Sequence, residues 1–63
     1  MTDRRVEELD AWQREVYDLA MQCGISKDRE AGRKLDAMKR QHPRKYEQAF
    51  RVWSEVMAEI LYD

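Results

Sequence analysis

Side chains able to do chemistry are few in this chain, and they are scattered. Its 63 residues include one cysteine, Cys23, and one histidine, His42. Those two cannot supply the four ligands of a structural zinc site, and a lone thiol cannot close an intramolecular bridge. Cys23 ends a helix-period apolar pattern, so it falls at a helix C-terminus, where the dipole disfavours a thiolate and no base lies nearby in sequence. It reads as a small core residue. His42 has the side chain suited to proton transfer near neutral pH, but it stands immediately before Pro43, where a turn or capping role is the common one. The carboxylates Glu7, Glu8, Asp10, Glu15 and Asp18 fall mostly on the polar face of the first helix, where no cleft is expected. Phosphate loops, metal-ligand spacings and nucleophile elbows are not found. The expectation is a chain that binds without catalysing, with neither cofactor nor metal.

Stepping outward to the elements, a charged fraction of 40% beside 43% hydrophobic residues, with two Gly and one Pro, points to an all-α chain and away from disorder. Sixty-three residues make one small domain. Three helices are expected, at about 3–23, 27–41 and 43–62, forming a helical hairpin or three-helix bundle. Gly24 is placed where a left-handed cap belongs, with Ile25 as its apolar contact. Ser26 is a candidate N-cap for the second helix, and Pro43 suits the first turn of the third. No window is apolar enough for a membrane span, and Met1-Thr2-Asp3-Arg4-Arg5 lacks the apolar core of a signal peptide, so a cytoplasmic setting is expected.

The apolar stripes are unequal. In the first helix Leu9, Trp12, Val16, Leu19 and Cys23 alternate steps of three and four, flanked by Val6, Tyr17 and Ala20. In the third, Tyr46, Phe50, Trp53, Met57 and Ile60 do the same, with Ala49, Val52, Val56 and Leu61 alongside. The second offers only Ala31, Leu35 and Met38, with His42 as a candidate fourth member, and contains Gly32, which costs about 1 kcal/mol relative to Ala. Two broad faces and one narrow face leave apolar surface uncovered. A second copy could cover it: the first and third helices would form an antiparallel hairpin, and two hairpins a four-helix core, with the second helix outside or bridging. The alternative is a monomer in which the wide face of the third helix touches two neighbours.

Charge is also unevenly spread. Residues 1–23 carry six acids and three bases, residues 24–45 eight bases and three acids, and residues 46–63 four acids and one base, for a net charge of −1. The basic middle segment is Lys27, Arg29, Arg33, Lys34, Lys39, Arg40, Arg44 and Lys45. One account is a solvated face paired with acids on its neighbours. The other is a binding surface. As a helix-turn-helix, the third helix would present Arg44, Lys45, Gln48 and Arg51 to nucleic acid. Against that stand the acidic first helix, Glu47 within the reading face, and a His-Pro junction lacking the usual Gly.

For a protein partner, the candidates at the edge of the stripes are Tyr17, Met21 and Tyr62, while Trp12, Trp53 and Met57 lie at stripe centres and read as core. Ile60-Leu61-Tyr62-Asp63 places apolar residues at the chain end, where an interface could hold them. The expected function is a small helical regulator, inhibitor or adaptor, homodimeric and acting on a partner protein, in the size class of bacterial and phage accessory proteins. The alternative is a small nucleic-acid-binding regulator.

Overall fold

Helix starts in this chain are set by aspartates. In a computed structural model, which describes residues 3–62, four helices run α1 Arg4–Glu7, α2 Ala11–Ser26, α3 Arg29–Gln41 and α4 Pro43–Tyr62. Met1, Thr2 and Asp63 lie outside the described residues. Asp3, Asp10 and Asp28 each precede a helix in extended geometry and accept a backbone N–H from its first turn. Asp10 goes further: it accepts from Gln13 N at 2.7 Å while Gln13 Oε1 accepts from Asp10 N at 3.2 Å, a reciprocal capping box.

That box corrects the first helix, expected to be continuous over 3–23. The chain breaks at Glu8–Asp10, because a strong cap at Asp10 starts α2 afresh and leaves α1 as one short turn. The other end of α2 is also later than expected. The helix passes through Gly24 and stops at Ser26, and the left-handed cap is Lys27, at φ 52° and ψ 41°. Gly24 is helical because it serves packing: a Cβ there would meet the Trp53 ring at 3.2 Å. Asp28 replaces Ser26 as the cap of α3. The boundary at His42 and Pro43 is as expected, since the residue before proline is steered away from helical geometry; His42 sits at φ −140° and ψ 79°.

Two tight reversals make α2 and α4 run in the same direction, against the expected antiparallel hairpin of the first and third helices. The pairing shows it directly. Gln13 Nε2 donates to Lys45 O and Gln48 Oε1 near the start of both helices, while Gly24 lies against Trp53 further along both. α3 returns between them, with Gly32 beside Cys23 Sγ. The shared core comprises Leu9, Val16, Tyr17, Leu19, Ala20, Ala31, Leu35, Met38 and Ala49, with Val56 also buried. The narrow stripe of the second predicted helix is thus fully used, but His42 is exposed. α1 folds back along α2, with Arg14 Nη2 donating to Glu7 O, and reaches α4 through Arg5.

Several core expectations change. Trp12, Trp53 and Met57 are half-buried. Ile60 leaves the core for reasons of helix length, whereas Phe50, which precedes Trp53, is exposed because it lies about 100° around α4 from the buried Ala49. Gly24 is level with Trp53, so α2 ends two residues later, whereas α4 continues nine residues to Tyr62, about 13 Å at 1.5 Å per residue. The last turns of α4 outrun the helix that would cover them.

Candidate interaction surfaces

The first surface is the open side of α4. Phe50 is 39% exposed, Ile60 61%, Leu61 75% and Tyr62 91%, and Ile25, at the end of α2, is 66% exposed. Helical spacing sets Phe50, Trp53, Met57, Ile60 and Leu61 on one side of α4. The aromatic members touch in series: Tyr46 stacks on Phe50 with centroids 5.7 Å apart, and Phe50 tilts against Trp53 at 5.2 Å. Trp53 in turn rests on Gly24, next to Ile25. The upper end opens into a groove of about 490 Å³ lined by Lys39, Pro43, Tyr46, Glu47, Phe50 and Arg51. Burial raises the Tyr46 phenol above its ordinary range, with Asp36 and Cys23 adding to the shift. Trp53 Nε1 is buried with no acceptor among the described residues.

The second surface is the outer face of α3. Arg29, Arg33 and Arg40 lie on it, while Lys34 flanks it beside Trp12 and Glu15 and Lys39 flanks it on the other side beside Tyr46 and Phe50; all five are exposed. Arg40 reaches Asp36 at 3.6 Å one turn away, but Arg29, Arg33, Lys34 and Lys39 have no ion pair among the described residues. The acids of α2 and α4 do not neutralise this face; those of α4 nearest α1, Glu55 and Glu59, are taken by Arg5.

The start of α4, by contrast, is already engaged. Lys45 Nζ donates to Asp10 Oδ2 at 3.0 Å, Gln48 Oε1 accepts from Gln13 at 3.1 Å, and Arg51 pairs with Glu47 at 3.7 Å. Of the four residues expected to read a nucleic acid, Arg44 alone has no side-chain bond among the described residues. The backbone N–H of Gln13 and the ammonium of Lys45 hold the Asp10 carboxyl below its ordinary range.

Other candidates are placed as follows. Tyr17, expected at an interface edge, is buried between α1 and the core, and burial pushes its phenol up. Met21 is half-buried against the core, and Tyr62 is exposed. Cys23 is half-buried and free. His42 meets the Trp12 ring edge-on at 5.2 Å. Among the described residues, no three His, Cys, Asp or Glu side chains gather in a group able to hold a metal, and no helix is long and apolar enough to cross a membrane. Gln13, the one buried polar side chain among the described residues, and Ile25 were not singled out as surface-defining from the sequence. A D-x-x-Q spacing was the available signal for Gln13; Ile25 had none, because its exposure depends on where α2 stops. No protein-family model matches the chain, and no curated protein or solved structure matches it.

Proposed function

We propose that the chain is a small non-catalytic helical regulator or adaptor, working as a homodimer in the cytoplasm and binding an acidic surface of a partner protein through the outer face of α3. The observation carrying this reading is the set of exposed, unpaired cations Arg29, Arg33, Lys34 and Lys39 on one helix. An exposed ion pair contributes little to stability, so a row of like charges is not explained by folding. It suits an anionic partner, which it would attract over about a Debye length, ~8 Å at physiological salt.

Protein is favoured over nucleic acid by the state of α4. A recognition helix needs its first turns free, yet Lys45 is bonded to Asp10 and Gln48 to Gln13, and Glu47 lies among them. One residue, His42, separates α3 from α4, shorter than the three or four residues of a helix-turn-helix connection. The test is capture from native lysate by wild-type protein and by the variant Arg33→Glu, Lys34→Glu, Lys39→Glu, Arg40→Glu. Nuclease-resistant capture that the variant loses, with its helicity unchanged, is the expected result. Nuclease-sensitive capture, or tight binding to random duplex DNA with a log-log salt slope of about −3.6 or steeper, would move the assignment to nucleic acid.

A further inference from the structure

A compact monomer of 7.6 kDa exposes about 4,300 Å² by the usual scaling of surface with mass. This chain exposes 5141 Å². The excess of about 850 Å² is close to the ~800 Å² that each partner buries in a stable protein interface. The Cα radius of gyration, 11.3 Å, likewise exceeds the ~10.6 Å expected for this length. Part of the surplus has a location, because three of the largest exposed apolar side chains, Phe50, Ile60 and Leu61, share the open side of α4, from which Tyr62 is turned away.

The orientation of a covering helix follows from the helix dipoles and from where the apolar side chains lie. From Pro43 to Arg51, α4 carries three bases, Arg44, Lys45 and Arg51, against Glu47; from Val52 to Tyr62 it carries Glu55 and Glu59 and no base. These charges do not set the orientation, because Glu55 and Glu59 pair with Arg5, Lys45 with Asp10 and Arg51 with Glu47. Two such helices in parallel would align their dipoles unfavourably, whereas antiparallel the dipoles oppose favourably. The apolar side chains are distributed to match, with Phe50 toward one end of the open face and Ile60 and Leu61 toward the other.

We infer that a second copy of this chain covers the open face of α4, packing α4 antiparallel against α4 about a two-fold axis near Ser54. Phe50 and Trp53 of each copy then meet Met57, Ile60 and Leu61 of the other. The groove beside Tyr46 and Phe50 takes the apolar end of the second helix. The interface is isologous, so each contact occurs twice and the surface closes on itself without building a filament. The outer face of α3 remains free, and only Lys39, which lines that groove, borders the second copy. This deepens the homodimer reading proposed above and rests on it.

Light scattering across micromolar to millimolar concentration gives the mass, and circular dichroism gives the fold. Wild-type protein should approach twice the 7.6 kDa chain mass. Leu61→Asp, at a position too exposed to support the monomer fold, should keep its helicity and weaken dimerisation roughly a hundredfold, since the change enters the interface twice. In a Cys23→Ala background, Ser54→Cys should form a disulfide-linked dimer under mild oxidation, whereas Ala37→Cys, exposed on α3, should not. Wild-type protein of monomer mass throughout overturns the homodimer reading itself. A wild-type dimer that survives Leu61→Asp, or that crosslinks as readily through position 37 as through 54, leaves the homodimer standing and overturns this face and axis.

Discussion

Gly24 and Gly32 both sit inside helices, where glycine is unfavourable, yet their surroundings differ. A Cβ at Gly32 would meet Cys23 Sγ at 3.6 Å, an ordinary contact, while one at Gly24 would meet the Trp53 ring at 3.2 Å, closer than carbon normally tolerates. Gly32→Ala should therefore stabilise the chain by about 0.5–1 kcal/mol through helix propensity, whereas Gly24→Ala should gain less or lose, because the ring must move. Urea titration of the two variants checks the contrast, and an equal gain from both would show that Trp53 does not hold α2 at that distance. Lys27 completes the local account. A residue with a Cβ at φ 52° is strained, so Lys27→Gly should add roughly 1 kcal/mol. Leu35→Ala, in the core, should remove about 2–5 kcal/mol, most of what so small a domain has. From sequence, Gly24 drew the cap assignment because glycine usually fills that role. The true cap was illegible there, since nothing in the residue type of Lys27 advertises positive φ.

At the scale of elements, the helical periodicity was legible and the interruptions were not. Leu9, Trp12, Val16 and Leu19 keep their spacing across the α1–α2 break, so the stripe gives no warning that Leu9 precedes a new helix start. The warning lies in Asp10 and Gln13, a capping pair written in the sequence but overshadowed by the longer pattern. α1 has one turn and no buried residue of its own, so its position depends on Arg5, which bonds Asp3 and bridges to Glu55 and Glu59. Its anchoring should consequently depend on pH. The Arg5 side chain and backbone N–H hold Asp3 below its ordinary value of 3.8, and Asp10 is likewise lowered. A carboxyl lowered in the folded state contributes stability above its unfolded value, and that contribution is lost as pH falls through the folded value. The anchoring should thus be intact at pH 5 and weaken below about pH 4, with α1 loosening before α2 and α4. Amide exchange of residues 4–9 against those of α2 measures it. Arg5→Ala should produce the same loosening at neutral pH, and tight protection of α1 in that variant would mean that Val6 packing, not the ion pairs, holds it.

For the molecule as a whole, the broad apolar stripe of the last helix was legible in the sequence, but Ile60 was placed in a core that only a longer neighbouring helix could provide, and Phe50 lies on the side of α4 away from the core. Whether a stripe is buried depends on where its neighbours stop, and α2 stops at Ser26 because of the turn at Lys27 and Asp28. The charge asymmetry was legible residue by residue; what needed three dimensions was which cations are spent internally. Lys45 is, through Asp10, and Arg33, Lys34 and Lys39 are not, while Arg40 and Arg51 each make only an exposed pair one turn away. The two surfaces therefore lie on different helices, one apolar on α4 and one cationic on α3, and should be separable. Reversing Arg33, Lys34 and Arg40 to glutamate, and leaving Lys39 because it lines the groove of the open face, should leave mass, helicity and the concentration dependence of unfolding as in wild type, since these three side chains touch neither the core nor the open face. Partner capture should disappear. Leu61→Asp should act on the other property, giving a monomer whose melting temperature no longer rises with concentration, whereas a dimer gains about 1.4 kcal/mol per tenfold increase. If the α3 reversal also dissociated the dimer, the cations would belong to the self-association surface, and the assignment of α3 to an outside partner would have to be withdrawn.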